Sequence, residues 1–338
     1  MGRMVEQMGS ERKSNLMVDQ VLDRSLNTVY NNNKEHTGAL MEEKKYYYSE
    51  IFHSIQGEGH YTGVPTAWIR FFLCNLQCNG FGQLFPTKPD TYELPFEDFD
   101  VSSVSRVEDL PVWDKGCDSS YTWAKKFKSL MGEETPTVMA NKIVDIIRTD
   151  SNPEGKFLHP VSKQQQHLCI TGGEPLMITG QRATVGIHNE LVRQNNVPAS
   201  MTFETNGTQK LREEFIDWGT NTDTEIFFSV SPKLWTVAGE QAKRAIKPEL
   251  VADYYKLSKQ GQLKFVVGHL DEQWDEMESV IAQFREHGVD YPVWVMPVGA
   301  REEEQTTSAG AVAERAFKRG YNVAARVHVY LFGNAIGT

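Results

Sequence analysis

Short β-rich runs alternate with amphipathic segments from about Tyr46 to the C-terminus, and this alternation restricts the fold more than any other feature. The runs predict strands near residues 46–54, 66–73, 167–171, 201–204, 225–230, 262–267, 292–296 and 325–332. The segments between them predict helices near residues 138–147, 184–194, 211–218, 249–260, 273–287 and 309–319. Strands that alternate with helices are typical of a parallel sheet with crossover helices. The chain therefore predicts an α/β fold.

Polar motifs stand directly after the predicted strands. Five of them are Cys74–Cys78, Thr171–Pro175, Glu204–Gly207, Ser229–Lys233 and Met296–Gly299. In a parallel α/β barrel the carboxyl ends of all strands open on one face, where such folds carry their active sites. We therefore predict that the five motifs form one composite site.

Three of the four cysteines are candidates for one metal centre. Cys74 and Cys78 have three residues between them, so one loop can direct both sulfurs to the same centre, and Cys117 follows further along the chain. Cys169 lies inside a predicted strand and is expected to be a small buried hydrophobic residue. Three thiolates on a [4Fe–4S] cluster leave one iron open to a further ligand. The spacing alone is a weak signal, and a structural zinc site with an added histidine is the alternative.

The chain divides into an extension and one large domain. Residues 1–44 are polar and are interpreted as a flexible N-terminal extension, and residues 45–338 as the domain. Within it, residues 79–116 interrupt the strand–helix alternation and are rich in acidic residues, proline and glycine. We interpret this stretch as an insertion that forms a solvated surface excursion, with a lid or a docking surface for a redox partner as the alternatives.

Composition excludes several classes of function. A net charge of −10 argues against a nucleic-acid-binding surface, although a local basic pocket for a small anionic molecule can sit in an acidic protein. The 40% hydrophobic content is enough for a core that needs neither metal nor disulfides. No apolar run is long enough to cross a bilayer, and no hydrophobic N-terminal segment is present. We therefore expect a cytoplasmic protein.

The motifs together resemble a known family. Residues 49–59, with the sequence Ser-Glu-Ile-Phe-His-Ser-Ile-Gln-Gly-Glu-Gly, are followed by Cys74-Asn-Leu-Gln-Cys78, Cys117-Asp-Ser, Thr171-Gly-Gly-Glu-Pro, Glu204-Thr-Asn-Gly and Ser231-Pro-Lys. This order resembles the 7-carboxy-7-deazaguanine synthases from about Tyr47 to the C-terminus, apart from the insertion. The resemblance implies a modified, partial (β/α) barrel of the radical S-adenosylmethionine (SAM) type over residues 45–338.

The resemblance also implies an activity. The family contracts the ring of 6-carboxy-5,6,7,8-tetrahydropterin to give 7-carboxy-7-deazaguanine and ammonia, in the 7-deazapurine biosynthesis that leads to queuosine and related products. Its cofactors are a [4Fe–4S] cluster, SAM, which is regenerated, and Mg²⁺. Its implied partners are the pterin substrate, a second copy of the chain in a homodimer and an electron donor of the flavodoxin or ferredoxin type, with no direct contact to nucleic acid or membrane.

One departure from the family concerns the cluster loop. The family places its third cysteine three positions after the second and continues with Asp-Thr, whereas position 81 is Phe here. Cys117-Asp118-Ser119 keeps that continuation, so the resemblance implies that Cys117 is the third ligand and that residues 79–116 loop out. Because the entropic cost of closing a loop rises only logarithmically with its length, such an insertion is tolerable. Recruitment of Cys169 is the alternative.

The resemblance assigns site residues position by position. The cluster ligands are Cys74, Cys78 and Cys117. The substrate-binding residues are Ile55, Gln56, Gly57, Arg70, Thr171 and Thr338. The SAM-binding residues are Gly173, Glu174, Ser231, Pro232, Lys233, Met296, Pro297, Val298 and Gly299. Ser119 takes the place of the magnesium-binding threonine, and its hydroxyl is also a hard oxygen ligand. Glu204 is expected in the site without an assigned role, and no side chain is assigned as catalytic, because the radical comes from SAM.

Two other functions fit parts of the pattern. One is a different radical SAM enzyme, such as an activase that makes a glycyl radical on a partner protein. The other is not an enzyme but a zinc-stabilised α/β binding module.

Overall fold

Nine strands form one mixed sheet in the computed structural model, which describes residues 43–333 and 335–337. The strands are β1 (Tyr46–Ile55), β2 (Pro65–Phe71), β3 (Gly132–Glu134), β4 (His167–Gly172), β5 (Ser200–Thr205), β6 (Glu225–Val230), β7 (Gly261–Val267), β8 (Val293–Pro297) and β9 (Asn322–Val323). Their spatial order is β3-β1-β2-β4-β5-β6-β7-β8-β9. β1 runs antiparallel to β2 and β3, and all pairs from β2 to β9 are parallel.

The sheet is open. Within the described residues, β3 and β9 each pair on one side only, so the sheet does not close on itself. The predicted α/β fold and the partial rather than closed barrel are therefore confirmed. The predicted flexible extension lies outside the described residues, apart from its last two positions.

Helices connect the parallel strands. They are α1 (Pro95–Asp98), α2 (Pro136–Ile146), α3 (Ile178–Arg193), α4 (Glu213–Asn221), α5 (Trp235–Ala238), α6 (Ala242–Ala245), α7 (Pro248–Leu257), α8 (Asp271–Glu286), α9 (Glu302–Phe317) and α10 (Val327–Phe332). The start of α2 follows from its sequence, since the Thr135 side chain accepts a hydrogen bond from the Val138 amide and Pro136 occupies the first turn. All six predicted helices are present, and every helix among the described residues is too short or too polar to span a bilayer.

The main core lies on one face of the central strands, where Leu168, Ile170, Phe203 and Phe228 belong to one cluster. Leu168, Cys169 and Ile170 of β4 are all fully buried. The prediction that Cys169 is a buried hydrophobic residue is confirmed. The central strands thus form a rigid base for the loops at their carboxyl ends.

The C-terminal segment differs from the prediction. Residues 325–332 were expected to form a strand, but Val327–Phe332 form the short helix α10. Gly333 ends this helix in the left-handed conformation, with a φ of 68°, and its amide donates to the Val329 carbonyl. The prediction was wrong because an apolar run of six residues does not distinguish a strand from a short helix.

Residues 79–116 form an irregular excursion with its own apolar cluster. The excursion contains α1 and several single turns but no strand. Its Phe96, Val107, Leu110 and Trp113 pack with residues that follow it, among them Phe127. The two ends meet, because the Gly116 amide donates to the Phe81 carbonyl over 2.8 Å. The excursion therefore begins and ends at nearly the same place.

Candidate active site

A cavity of about 650 Å³ opens at the carboxyl ends of the parallel strands. The five strand-end motifs meet there. The predicted site residues that line it are Ile55, Gln56, Arg70, Cys74, Cys78, Cys117, Ser119, Thr171, Gly173, Glu204, Ser231, Lys233, Met296, Pro297, Val298 and Gly299. The insertion also contributes to the wall through Phe81, Gly82 and residues 112–114.

Three predicted residues do not line this cavity, and Thr338 lies outside the described residues. Gly57 packs against α10, since a Cβ atom on it would come within 1.9 Å of His328 Nδ1. Pro232 is buried. Glu174 lies beneath the cavity, where its carboxylate accepts hydrogen bonds from the amides of Leu176 (2.9 Å) and Asn206 (2.7 Å). Glu174 thus joins the loops that follow β4 and β5.

The three cysteines are held by the loops at the end of β2 and after the insertion. Cys78 adopts a left-handed backbone with a φ of 55°. Its amide and that of Gln77 donate to one carboxylate oxygen of the buried Glu240, over 2.8 and 2.7 Å. Glu240 therefore fixes the tight turn that carries Cys78, and the joined ends of the insertion bring Cys117 to the same cavity.

The three thiols are the donor set that an iron–sulfur cluster requires. Among the described residues, no three His, Cys, Asp or Glu side chains converge closely enough to hold one metal ion. An iron–sulfur cluster differs from an ion because each thiolate binds a separate iron, so its ligands surround a larger body. Soft thiolates are the ligands that such clusters require. The donor set of Cys74, Cys78 and Cys117 around one cavity therefore fits a [4Fe–4S] cluster.

Burial sets the protonation of these thiols. Burial raises the pKa of Cys74 to about 12, and it raises the pKa of Cys78 well above its usual value. The Lys233 ammonium opposes both shifts, because a nearby positive charge favours the thiolate. Burial also raises the pKa of Cys117, whose Sγ lies 3.5 Å from Ser119 Oγ. Lys233 thus provides positive charge beside the sulfurs.

Gly173 is required by close packing. A Cβ atom at this position would lie 2.4 Å from the Leu73 carbonyl oxygen and 2.8 Å from the Cys74 Cβ. Real side chains do not approach so closely, so the loop after β4 must have glycine here to lie against the cysteine loop. The Gly173 amide also donates to the Phe71 carbonyl over 3.2 Å.

Glu204 receives donors from three strands or strand ends. Its Oε1 accepts a hydrogen bond from Gln56 Nε2, and its Oε2 accepts one from Thr171 Oγ1, both over 3.3 Å. Lys264 Nζ of β7 lies 3.7 Å from Glu204 Oε1. Glu204 therefore connects two predicted substrate contacts.

A buried ion-pair network closes one side of the cavity. Arg326 Nε lies 3.0 Å from Glu58 Oε1, and another of its nitrogens lies 3.1 Å from Asp118 Oδ2. Lys264 also pairs with Glu58. Burial alone would raise the pKa of Glu58, but the charges of Lys264 and Arg326 hold it far below its usual range. Arg326 thereby joins the segment before α10 to the loop of Cys117.

Arg70 projects from β2 into the cavity. Its Nε lies 2.8 Å from Glu50 Oε2 of the neighbouring strand. Burial alone would lower the pKa of Arg70, but the Tyr121 hydroxyl and the Glu50 carboxylate raise it, so the guanidinium stays charged. The site therefore presents a fixed positive charge beside a carboxylate that partly neutralises it.

Several cavity residues were missed from the sequence, namely Glu58, Asp118, Lys264, Arg326 and His328. Lys264 had a visible signal, because it is a lone charge inside the apolar run of β7. Glu58 belongs to the Gln-Gly-Glu-Gly segment that was already singled out. Arg326 and His328 gave no such signal, since their segment was assigned to a strand.

Comparison with known proteins extends the resemblance to most of the chain. No protein-family model matches. The chain is 27% identical over 316 residues to the 7-carboxy-7-deazaguanine synthase of Halobacterium salinarum, which covers 85% of this chain and 90% of that protein. It is 26% identical over 310 residues to the enzyme of the same name from Rhodopirellula baltica, with 89% and 91% covered. The chain is similar over most of its length to 7-carboxy-7-deazaguanine synthases. The resemblance predicted from the motifs is thereby confirmed.

Among solved structures, the chain is similar to the crystal structure of QueE from Escherichia coli. The two share 20% sequence identity with a TM-score of 0.46, and the match covers 84% of this chain and 95% of that one.

Proposed function

We propose that the chain catalyses the radical SAM ring contraction of 6-carboxy-5,6,7,8-tetrahydropterin to 7-carboxy-7-deazaguanine with release of ammonia, a lyase reaction of 7-deazapurine biosynthesis. The observation that supports this most is the content of one cavity. It combines three thiols with Arg70, Gln56, Thr171 and Glu204, and the curated relatives named above are synthases of this product. The arrangement joins a cluster-binding end to a polar end suited to a small anionic heterocycle.

We propose that Cys74, Cys78 and Cys117 bind a [4Fe–4S] cluster and that SAM binds to the iron that lacks a thiolate. When bound, the two groups supply the radical chemistry that starts the ring contraction. Lys233 balances the negative charge of the thiolates, and Glu240 holds the turn of Cys78. Cys78 is buried and the other two cysteines are half-buried, so this end of the cavity is partly shielded from solvent.

The proposed SAM-binding residues surround the sulfurs. Gly173 lies against the loop of Cys74, so its exposed backbone can approach the cofactor closely. Ser231 and Lys233 follow β6, where Lys233 Nζ donates to Ser231 Oγ over 3.0 Å. Residues 296–299 complete this side of the cavity, and Glu174 supports it from below.

The proposed substrate-binding residues lie around Arg70 and Glu204. The planar fork of Arg70 suits the carboxylate of the pterin. The Glu204 carboxylate suits the N–H groups of a pterin's amino-oxo ring, and Gln56 and Thr171 hold that carboxylate in place. Ile55 forms part of the wall, and Gly57 lets His328 approach.

Magnesium and partner proteins complete the proposal. We propose that Ser119 contributes a hard oxygen ligand to Mg²⁺ at the cluster end of the cavity. The insertion, residues 79–116, acts as a wall of the cavity rather than a solvated excursion alone, since residues 112–114 line it. The enzyme works as a homodimer with an electron donor of the flavodoxin or ferredoxin type.

The decisive test is reconstitution. Protein loaded anaerobically with iron and sulfide is incubated with SAM, dithionite, Mg²⁺ and 6-carboxytetrahydropterin, and the products are identified by mass spectrometry. We expect 7-carboxy-7-deazaguanine without matching consumption of SAM. Cleavage of SAM with the pterin unchanged would support a radical SAM enzyme but show that the pterin is not its substrate. Protein that takes up only zinc would overturn both.

A further inference from the structure

Arg70 is more constrained than a surface arginine but lacks the hydrogen bonds of a structural one. Its side chain is 21% exposed and lines the cavity. Its Nε is buried and, although within ion-pair distance of Glu50, makes no aligned hydrogen bond to any described residue. A buried donor without a partner is costly, and a guanidinium has five N–H donors to satisfy. Glu50 occupies the Nε side of the guanidinium, and neither terminal nitrogen has a hydrogen bond or ion pair to a described residue, so that side is open to an anionic ligand.

Glu50 is placed opposite Arg70 by an irregularity in β1. The pairing of β1 with β2 shifts register between Tyr48 and Glu50, and beyond the shift Glu50 faces Arg70 directly. Bulges of this kind re-aim side chains and are frequent beside active sites. Glu50 is 4% exposed, and its Oε1 has no hydrogen-bond partner among the described residues. The buried Glu50 carboxylate thus orients the Nε side of the Arg70 guanidinium.

Tyr121 fixes the carboxylate in turn. Its hydroxyl donates to Glu50 Oε2 over 2.8 Å, the same oxygen that lies beside Arg70 Nε. Tyr121 belongs to the turn Ser120–Thr122, four residues after Cys117, and the Leu73 amide donates to the Thr122 carbonyl over 2.7 Å. A continuous chain of contacts therefore runs from the loop of the third cysteine to Arg70.

We propose that Glu50 and Tyr121 are positioning residues that hold the Arg70 guanidinium for the substrate's carboxylate. They also link its orientation to the loop that carries Cys117. The inference rests on the proposed function, because it takes Arg70 as the ligand of that carboxylate. Glu204 and Asp118 also act on the charge of Arg70, but Glu50 is the carboxylate in ion-pair contact with it.

A purely structural role for Glu50 predicts a different result. A structural counter-ion supports the fold, so its loss would weaken the binding of all ligands equally. A positioning residue acts through Arg70, so its loss would weaken only ligands that carry the carboxylate. The ratio of affinities for two ligands that differ in this group separates the two roles.

The test uses full-length, cluster-loaded protein and two stable probes, 6-carboxypterin and pterin without the carboxylate. Their dissociation constants are measured by pterin fluorescence, with iron and sulfide content as a check of loading. We expect the wild type to prefer the carboxylated probe and Glu50→Gln to reduce that preference about tenfold, an effect typical of residues that orient ligand-binding groups. Tyr121→Phe, which removes only a hydroxyl, should reduce it less, at unchanged iron content.

Controls make each outcome decisive. Glu190→Gln removes another carboxylate that pairs with an arginine, on α3 and outside the cavity, and should leave the preference unchanged. In an Arg70→Gln background, Glu50→Gln should have no further effect, because residues that act through one another are not additive. Two results would overturn the positioning role but leave the proposed function intact. One is an unchanged preference for the carboxylated probe in Glu50→Gln. The other is an equally large effect of Glu50→Gln in the Arg70→Gln background. A wild type with no preference for the carboxylate overturns the substrate assignment as well.

Discussion

Cys117 and Cys169 are chemically identical, and only their surroundings distinguish a ligand from a core residue. Cys117 lines the cavity, whereas Cys169 is fully buried in β4. We expect Cys117→Ala to lose most of the iron and sulfide that the wild type takes up, because a cluster with two thiolates is poorly held. Cys169→Ala should keep its iron. Retention of a full cluster by Cys117→Ala, measured by iron analysis and absorbance, would contradict the proposed ligand set.

The close contact between Gly173 and the cysteine loop can be tested by adding one methyl group. We expect Gly173→Ala to lower both the melting temperature and the cluster content, because its methyl group would meet the Leu73 backbone and the Cys74 Cβ. Gly310→Ala is the matched control. It lies within α9 with no atom within 4 Å, so alanine should stabilise the helix by roughly 0.5–1 kcal/mol. Equal stability changes in the two variants would show that the close approach of Gly173 has no consequence.

His188 gives the fold a dependence on pH. Burial lowers its pKa to about 4, and Nδ1 accepts a hydrogen bond from the Trp218 indole, which favours the neutral ring. In the unfolded chain His188 becomes protonated near pH 6.5, whereas in the folded chain it stays neutral until about pH 4. The free energy of unfolding therefore falls as the pH drops from 6.5 towards 4. At ~1.4 kcal/mol per pKa unit, the loss is about 3 kcal/mol.

We expect His188→Gln to make this part of the curve of melting temperature against pH shallower, as measured by calorimetry between pH 7.5 and 4.5. A slope from His167 remains, because burial lowers its pKa to about 4 as well. His287→Gln, which changes an exposed histidine at the end of α8, is the control and should leave the curve unchanged. A wild-type slope in His188→Gln would locate the acid sensitivity elsewhere.

Residues whose chemistry is unusual for their position are visible in the sequence alone. The cysteines and the Arg70 charge at the end of an apolar strand stand out in this way. Glu58, Lys264 and Arg326 form a network that depends on three distant segments meeting, and no local pattern encodes such a meeting. Glu50 was passed over for the same reason, since its function depends on a register shift that only the paired strands reveal.

At the scale of elements, the insertion has a small core of its own. Trp113 packs against Phe99 and Phe127, with ring centroids 5.4 and 6.4 Å apart. We expect Trp113→Ala to loosen residues 94–127 without unfolding the sheet, because loss of a packed tryptophan costs about 3–5 kcal/mol and such clusters open locally. Amide hydrogen exchange should then accelerate there but not in β4–β7.

Leu84→Ala is the control for this experiment, because that side chain is 84% exposed and should have no effect. If exchange in the central strands accelerated equally in Trp113→Ala, the insertion and the sheet would form one cooperative unit.

Element prediction succeeded where periodicity is long and failed where elements are short. The seven predicted strands from β1 to β8 other than β3 were visible because four or more consecutive residues share one burial pattern. β3 and β9, of three and two residues, are too short to leave a pattern, and α10 of six residues fits either state. Their structure depends on the tertiary partners that they meet.

At the scale of the whole molecule, the core reaches the cluster end only through Leu76 and Cys78, with Cys74, Phe81 and Cys117 packed against it. The buried side chains of β4–β8 pack without a contribution from the proposed cluster. We therefore expect a chelator to remove the cluster from reconstituted protein while the far-UV circular dichroism stays unchanged. Amide exchange should rise only around residues 74–78 and 117–122. A collapse of the spectrum would show instead that cluster binding drives folding, as in small metal-dependent domains.

The joined ends of the insertion have a practical consequence. The Gly116–Phe81 hydrogen bond holds the two ends of the insertion together. The chain between them can therefore change in length without changing the positions of Cys78 and Cys117 relative to each other. Exposed loop tips whose ends lie close together accept foreign domains readily. The exposed stretch around Ser102 is accordingly a suitable insertion point for a fluorescent reporter domain. Such a reporter would respond to conformational changes in the insertion, which lines the cavity.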